Sequence, residues 1–347
     1  MKPKLRFSNF INDYEIKDVS DITSNISSGK ISKQLEDGEY NVYGSMGIIG
    51  KSNFYDYAGE KVLVARVGAN AGSVNKINEK CCISDNTLVL EPKDILNDYL
   101  YYALSHYNPK KLIFGSGQPL VTGGQLKKIK LGIPSKEEQL KVSNFLSLLD
   151  KKIELQSKKI EDLKLFKKGL SNKIFSTLDV VKEEKLGNIC NITTGKLDAN
   201  AMVENGQYRF YTCAKDYYYI DKYVFDTEAL LISGNGAYVG YIHYYKGKFN
   251  AYQRTYVLDQ FTENIQYIKV YLDEFLSKRI NSEKKEGNTP YIVLSTLSDM
   301  MIKLTNPKDE KKVINTFNNI KNKIDKEELK LNKLIELKKG LMQNMFV

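Results

Sequence analysis

Histidine and cysteine are scarce in this chain of 347 residues, which contains two histidines and four cysteines. His106 and His243 leave little material for a zinc site or for acid–base catalysis. The cysteines have no CxxC spacing, and the neighbours Cys81 and Cys82 cannot easily bridge, so reduced thiols of a cytosolic protein are expected. No apolar run approaches the length of a membrane span, and the first residues lack a signal-peptide pattern. We therefore expect a soluble, cytoplasmic protein.

Acidic residues are outnumbered: there are 42 Asp and Glu against 52 Lys and Arg, which gives a formal net charge of +10. An anionic partner fits this balance, and so does an ordinary lysine-rich surface. The apolar content of 42% is typical of a globular protein with a real core, and the length allows two domains.

The stretch GSMGIIGKS (44–52) resembles a phosphate-binding loop without meeting its pattern. Gly44 and Gly50 are separated by five residues, whereas that pattern has four. The loop must also open a helix, and the aromatic and β-branched residues that follow predict strands and turns instead. We therefore expect these glycines to shape tight β turns.

The chain repeats itself. KKGLMQNMF (338–346) matches KKGLSNKIF (167–175) at an offset of 171 residues. Upstream, NGAYVG (235–240) matches VGANAG (67–72) at an offset of 168. Further collinear matches make chance similarity a poor explanation, so the chain contains two copies of a unit of about 170 residues. Each copy is expected to combine a mixed α and β globular part with a long helix. Each globular part is expected to contain a helix, near DILNDYLYYALSH (94–106) and its counterpart NIQYIKVYLDEFLSKRI (264–280).

Both long helices have an apolar stripe at heptad spacing. Ser135 and Glu138 predict a capping box at the start of the first helix, while Asn306 and Pro307 predict the start of the second. The stripe residues are Val142, Leu146, Leu149, Ile153, Ile160, Leu163, Leu170 and Ile174 in the first helix, and Val313, Phe317, Ile320, Ile324, Leu331, Leu334, Leu341 and Met345 in the second. Each stripe runs for about 60 Å at ~1.5 Å per residue, which exceeds one small domain. We expect the helices to pair along these stripes; packing of each on its own globular part is the alternative.

Two similar globular units on a shared helix pair would form an internal pseudo-dimer. Double-stranded DNA presents the same groove face every ~34 Å, so such a basic chain could read a two-part site. The globular parts share only scattered residues, which predicts unlike half-sites with a spacer fixed by the helices. Gln156 and Glu327 interrupt the two stripes at equivalent positions and are expected to set their register.

This order of segments resembles the specificity (S) subunits of Type I restriction–modification systems. The most specific motifs are IPSKEEQ at the entry to the first helix, KKGL-x-x-x-x-F at the exit of both, and FGSGQPLVTGGQLKKIKLGIP before the first. The resemblance covers essentially the whole chain. It departs at the second helix, where the EEQ motif is missing and Thr305 replaces the equivalent proline, which leaves the start of that helix less defined.

The resemblance implies an α+β fold with two target-recognition domains, 1–134 and 179–305, and two spacer helices, 135–178 and 306–347, that pair as an antiparallel coiled coil. It implies a non-catalytic chain whose partners are double-stranded DNA, two methyltransferase (M) subunits and, in the full complex, restriction (R) subunits. This chain would bind no cofactor or metal itself. S-adenosylmethionine would bind the M subunits, and ATP and Mg the R subunits. On DNA the protein would be nucleoid-associated, with no membrane contact.

Other interpretations stay open. The chain could serve a related multi-subunit system of the Type IIB kind, or act as a coiled-coil adaptor that does not read DNA. A self-contained methyltransferase or nuclease is disfavoured: FGSG (114–117) does not follow the first strand of a Rossmann-like sheet, and no N/D-P-P-Y/F tetrad occurs.

Candidate DNA-binding residues lie in glycine-rich loops, where side chains can reach phosphates or base edges. They are Lys30, Lys51, Ser52, Arg66, Asn70, Ser116 and Gln118 in the first copy, and Lys196, Lys215, Asn235, Tyr238, Arg254, Asn288 and Thr289 in the second. Each could also be an ordinary solvated loop residue. The tyrosine-rich run DYYYIDKYVF (216–225) is expected to be half-buried packing rather than a stacking surface for DNA.

Overall fold

The computed structural model describes residues 1–30, 37–44, 46–113, 117–283 and 291–347. The chain forms two compact units, of which unit 1 comprises residues 1–158 and 328–347 and unit 2 comprises residues 159–327. The unit boundaries fall within the two long helices, whereas the sequence-based division gives each helix a segment of its own.

Unit 1 contains paired strands, two sheets and short helices. Its strands are β1 (Glu15–Asp18), β2 (Thr23–Ser28), β3 (Tyr40–Gly44), β4 (Gly47–Ser52), β5 (Glu60–Ala65), β6 (Val74–Asn78), β7 (Cys81–Ile83), β8 (Thr87–Pro92) and β9 (Lys130–Ile133). Its short helices are α1 (Asn97–Tyr107) and α2 (Gly123–Lys127), and the first long helix is α3 (Lys136–Ser176). One sheet has the order β2-β8-β5-β6, the other has the order β4-β3-β7, and β1 pairs with β9.

Unit 2 has a similar order of elements, with one strand fewer and one additional short helix, α4. Its strands are β10 (Val180–Lys185), β11 (Asn191–Thr194), β12 (Tyr208–Tyr211), β13 (Tyr218–Ile220), β14 (Phe225–Ser233), β15 (Ile242–Ala251), β16 (Thr255–Asp259) and β17 (Met301–Thr305). Its helices are α4 (Leu186–Ile189), α5 (Ile265–Glu283) and α6 (Leu294–Ser298), followed by the second long helix, α7 (Pro307–Met345). The strands β11-β16-β14-β15-β12-β13 form one sheet, because the ten-residue β15 takes the places of both β6 and β7.

Strands β5 and β14 are buried on both faces, because alternate side chains point to opposite sides of a strand. Val62 and Val64 belong to the larger core of unit 1, while Leu63 between them belongs to a smaller one. In unit 2, Leu230 and Leu231 divide in the same way. This explains the continuous apolar runs of the two strands.

Helices α1 and α5 confirm the expected helix in each globular part, and both are fixed by a buried tyrosine. Tyr99 donates its hydroxyl to the carbonyl of Gly132 at 2.9 Å, and Tyr267 donates to that of Lys303 at 2.5 Å. The two pairs are equivalent in the repeat, so each helix is tied to the strand that leads into its long helix.

The long helices pair within each unit, and the pairing is antiparallel. In unit 1, Val142 and Leu146 near the start of α3 share a core with Met345 at the end of α7. In unit 2, Phe175 near the end of α3 shares a core with Phe317 near the start of α7. Every predicted stripe residue is buried or half-buried, and the pairing of all of them along one seam stays a prediction.

Charged residues that interrupt the stripes form ion pairs. In unit 2, Lys159 lies 2.9 Å from the buried carboxylate of Glu327. In unit 1, Lys338 pairs with Asp150, which also accepts the hydroxyl of Tyr102 at 2.7 Å. These pairs place residue 159 opposite 327 and residue 150 opposite 338, which defines the register.

The predicted capping box at the start of α3 is only half formed. Ser135 accepts the amide of Glu138 at 3.4 Å, but the Glu138 carboxylate binds Arg6 and Tyr14 instead of returning to Ser135. At the start of α7, Asn306 accepts the amide of Asp309 at 3.0 Å, as its sequence predicts. Among the helices that the structure describes, none combines the length and apolar character of a bilayer-spanning segment.

Candidate nucleic-acid interface

A glycine turn follows β5 and is repeated after β14, with the sequences VGANAG and NGAYVG. The amide of Gly72 donates to the carbonyl of Ala65 at 2.8 Å, and that of Gly240 donates to Ser233 at 2.8 Å. Both glycines have a φ of 82°, which favours glycine. A Cβ on Gly72 would also lie 2.5 Å from the amide nitrogen of Lys110. The turn therefore requires glycine for its shape and for its close packing.

The residues at the tips of the two turns are Asn70 and Tyr238, and both are exposed. They are 168 residues apart and occupy equivalent positions. The ammonium of Lys215 lies 5.5 Å from the centre of the Tyr238 ring, within the range of a cation–π contact. The structure thus brings two predicted residues of unit 2 together.

A second segment lies beside each turn. Val67 forms an antiparallel bridge with Leu120, and Asn235 forms the equivalent bridge with Tyr291. Gln118 is exposed two residues before Leu120, which places it near the turn of unit 1. The other predicted residues of this segment lie outside the described residues: Ser116, Asn288 and Thr289.

A third segment, SSGK in unit 1 and TTGK in unit 2, completes the corner. The amide of Gly29 donates to the first residue of β8 at 2.9 Å, and that of Gly195 to the first residue of β16 at 3.3 Å. Lys30 and Lys196 follow these glycines and are exposed. We name the three segments together the glycine corner of each unit.

The two glycine corners have their arginine at different positions. In unit 1, Arg66 is half-buried and donates to the hydroxyl of Ser28 at 3.3 Å, while its amide donates to the carbonyl of Asn86 at 2.9 Å. In unit 2 the equivalent amide belongs to Gly234, which donates to the carbonyl of Arg254 at 2.9 Å. The side chain of Arg254 is exposed.

A cavity of 260 Å³ opens beside Arg254 in unit 2. Its lining includes Thr194, Gly234, Asn235, Gln253, Arg254 and Tyr291. Sequence reasoning missed Thr194, Gln253 and Tyr291. The repeat contained a signal for the first, because TTGK aligns Thr194 with Ser28, and Gln253 is simply the neighbour of Arg254.

Lys51 and Ser52 lie apart from the glycine corner. The stretch GSMGIIGKS contributes to the β3–β4 hairpin, in which Gly44 pairs with Gly47, so the expectation of strand and turn in place of a helix is confirmed. Lys51 donates to the amide oxygen of Asn41 at 2.7 Å. Ser52 is 1% exposed and its hydroxyl accepts the amide of Phe54. Burial leaves Ser52 no surface for DNA, which corrects its selection.

The tyrosine-rich run is more exposed than its alternating pattern predicted. Tyr217, Tyr219 and Tyr223 are all at least 36% exposed, and Tyr219 lies in β13, which is an edge strand of its sheet. The guanidinium of Arg209, a residue that the sequence did not single out, lies 4.2 Å from the Tyr217 ring and 4.5 Å from the Tyr245 ring. Arg209 is therefore held between two aromatic rings.

The ring of His243 packs against those of Tyr211 and Tyr241 and favours its neutral form. Burial lowers the pKa of His243, and its Nε2 lies 3.0 Å from the carbonyl oxygen of Ala214. A carbonyl can only accept, so Nε2 carries the proton. The described residues contain no group of three or more His, Cys, Asp or Glu side chains placed to hold a metal ion.

A family model described as "Type I restriction modification DNA specificity domain" matches residues 11–165 and again residues 179–337. The chain is 32% identical over 162 residues to the specificity subunit of the Type I restriction enzyme EcoDI of Escherichia coli, covering 47% of this chain and 36% of that protein. It is 24% identical over 328 residues to a putative Type I specificity subunit of Mycoplasma genitalium, covering 87% and 85%. A putative Mycoplasma pneumoniae specificity subunit is 32% identical over 40% of this chain and 47% of its own length. The chain thus spans less than half of two of these relatives.

Two solved structures share the fold. The S subunit of a Type I restriction–modification system from M. genitalium matches with a TM-score of 0.73 and 19% identity, covering 100% of this chain and 99% of that one. A chain from a structure of complex assembly and conformational transition of the type I R-M system matches with a TM-score of 0.56 and 13% identity, covering 97% and 98%. At these identities the likeness concerns the fold.

Proposed function

The chain belongs to the family of Type I restriction modification DNA specificity domains, and from that premise we propose that it is a DNA-reading specificity subunit with no catalytic activity of its own. Each unit reads one half of a bipartite, asymmetric site. The carrying observation is that the two glycine corners share a backbone but differ in side chains, as at Asn70 and Tyr238. A shared backbone that carries different side chains in the two units fits the reading of two half-sites of different sequence.

Charge at the glycine corners supports DNA as the partner. Lys30, Lys196, Lys215 and Arg254 are exposed there, in a chain with a net charge of +10. Lysine and arginine at such positions contact phosphates and hold the protein in register on the duplex. Glycine turns keep the backbone close to the duplex, so that short side chains reach the grooves.

The surface of α3 supports protein partners. Leu148, Leu155 and Phe166 are 69%, 58% and 60% exposed and lie on a face turned away from the seam. A helix that needs only one partner helix would have polar residues there. We assign this face to the two M subunits, with R subunits joining in the full complex. S-adenosylmethionine is then used by M and ATP with Mg by R, in the cytoplasm.

The test is to express the chain with its methyltransferase partner in a host that lacks other adenine methylation, and to map methylated adenines by single-molecule sequencing. We expect a two-part motif with unlike halves and a fixed spacer. The methyltransferase expressed without this chain is the control and should leave no such motif. A coiled-coil adaptor would leave the methylation pattern the same with and without the chain, and that result would refute the proposal.

A further inference from the structure

The backbone hydrogen bonds within the glycine turns recur in both units. In unit 1 the amide of Val121 donates to the carbonyl of Arg66 at 2.8 Å, and in unit 2 the amide of Ile292 donates to that of Gly234 at 2.8 Å. The turns and bridges described above repeat in the same way. Side chains at equivalent positions therefore leave the backbone at equivalent places. Where those side chains differ, the two corners offer different chemical groups to a ligand.

The two corners carry their arginine at different positions of this shared backbone. Unit 1 has Arg66 and Asn86, where unit 2 has Gly234 and Arg254. A Cβ on Gly234 would lie 2.4 Å from the carbonyl oxygen of Arg254, so no side chain fits there. Arg66 reaches toward the equivalent of Thr194, whereas in unit 2 that space is the 260 Å³ cavity beside Arg254.

Arg254 differs from an arginine with a structural role. Arg209 in the same unit is held between tyrosine rings and donates to the hydroxyl of Tyr211 at 3.3 Å. The guanidinium of Arg254, by contrast, has no hydrogen bond or ion pair with any residue that the structure describes, and it is exposed. Its donors are available to a ligand, next to polar groups of Asn235 and Gln253.

The pattern of differences separates base contacts from phosphate contacts. Lys30 and Lys196 are the same residue in both corners, as expected for contacts to phosphates, which carry no sequence information. The arginine changes position, as expected for a contact that reads a base.

We propose that Arg254 is a specificity-determining residue that reads a guanine in the half-site bound by unit 2. Its guanidinium donates two hydrogen bonds to O6 and N7 in the major groove, the pairing that arginine makes most often with a base. This inference rests on the proposed function and names the base class that one position of unit 2 recognises.

The experiment compares the wild-type chain with Arg254→Gln and Arg254→Lys, each expressed with the methyltransferase partner and mapped by single-molecule sequencing. Gel shifts then measure binding to duplexes in which each G·C pair of the motif is replaced in turn. Arg66→Gln is the matched control, because it changes the arginine of the other corner. Thermal melting checks that each variant is folded, which exposure of Arg254 leads us to expect.

We expect both Arg254 variants to lose discrimination at one G·C position of one half-site by about tenfold or more, with the other half-site unchanged. Arg66→Gln should leave that position intact. A uniform loss of binding that Arg254→Lys restores would mark a phosphate contact and overturn the inference, as would an unaltered motif. Failure of the proposed function looks different, because the wild-type complex would then have no bipartite motif.

Discussion

Arg6 and Glu138 form a two-point ion pair in unit 1, with Nε and Nη2 lying 2.8 Å and 2.7 Å from the two carboxylate oxygens. Tyr14 donates its hydroxyl to the same carboxylate at 2.9 Å, and Glu138 is 1% exposed. The pair fastens the first residues of the chain to α3. In the repeat, Glu138 corresponds to Asp309, whose carboxylate is more exposed and accepts the side-chain amide of Asn306 at 2.9 Å.

Replacing Glu138 by glutamine should lower the free energy of unfolding by about 3 kcal/mol, because the Arg6 charge would be left in a buried site without its counter-charge. Urea unfolding followed by circular dichroism measures the change. Asp309→Asn is the matched control and should have only a small effect. Equal losses of unfolding free energy in both variants would show that burial of the Arg6–Glu138 pair does not determine its contribution to stability.

The acid sensitivity of folding should depend on His243. Burial lowers its pKa below the ordinary 6.5, so the unfolded chain takes up a proton that the folded chain does not. The contribution of His243 to the free energy of unfolding is therefore fully present above about pH 6.5 and is lost as the pH falls below that value. Burial also lowers the pKa of His106, which adds to this loss. Glu310 has the opposite effect: burial raises the pKa of its carboxyl group, so its protonation at lower pH favours the folded chain.

His243→Asn, which introduces the residue found at the equivalent Asn75 of unit 1, should reduce the fall in melting temperature between pH 7.5 and pH 5.5. Differential scanning fluorimetry at both pH values gives the comparison. Because His106 keeps its own contribution, the double variant with His106→Asn should be flatter still. A single variant as acid-sensitive as the wild type would exclude His243 as a cause.

The glycine turn of unit 1 offers a test of close packing. Gly68 and Gly72 have φ values of 80° and 82°, so alanine at either position costs about 1–2 kcal/mol of backbone strain. A Cβ on Gly68 meets nothing within 4 Å, whereas one on Gly72 meets the backbone of Lys110 at 2.5 Å. Gly72→Ala should therefore destabilise the chain more than Gly68→Ala in urea unfolding. Equal destabilisation by the two variants would mean that the backbone at Lys110 shifts to make room for the new Cβ.

The helices could be predicted from the sequence because their signal is local. Each stripe has apolar residues at most heptad positions, with polar interruptions such as Gln156 and Glu327, and this periodicity defines a buried face of each helix without reference to its partner. The repeat then located α1 and α5 in both copies. The α+β fold with two similar units followed from these signals and from the family resemblance.

Contacts between distant residues could not be predicted in this way. Glu138 satisfies the capping pattern in sequence, but Arg6 lies 132 residues away and competes for its carboxylate. Ser52 lies in a glycine-rich stretch typical of surface loops, yet it is buried. The cavity beside Arg254 is lined by four chain segments, among them those of Thr194 and Tyr291. No local pattern encodes which segments meet.

Exchanging residues 180–305 for the equivalent segment of another specificity subunit should change one half-site and leave the other intact. Each unit has its own glycine corner and its own core, so under the proposed function we expect each unit to read its half-site independently. Methylated-adenine mapping of the chimera with the M subunit provides the readout, with the parental chain as control. A motif in which both halves change would contradict independent reading.

The helix pair should set the spacer between the half-sites. Lys159 pairs with Glu327 and Asp150 with Lys338, so the positions after Lys158 and after Glu327 lie opposite each other. One heptad inserted at both matched points keeps the stripes facing each other and adds about 10 Å, at ~1.5 Å per residue.

This added length corresponds to roughly three base pairs at ~3.4 Å each, which also rotates one half-site by about 100° around the duplex. The supercoil cannot follow that rotation fully, so we expect weaker binding with its optimum moved to longer spacers. Gel shifts of duplexes with identical half-sites and stepped spacers, run with the M subunit, measure the optimum. A heptad inserted after Lys158 alone is the control and should mainly destabilise the chain, because the stripe residues lose their partners. A doubly inserted chain that folds but keeps the parental optimum would contradict the idea that the helices act as a ruler.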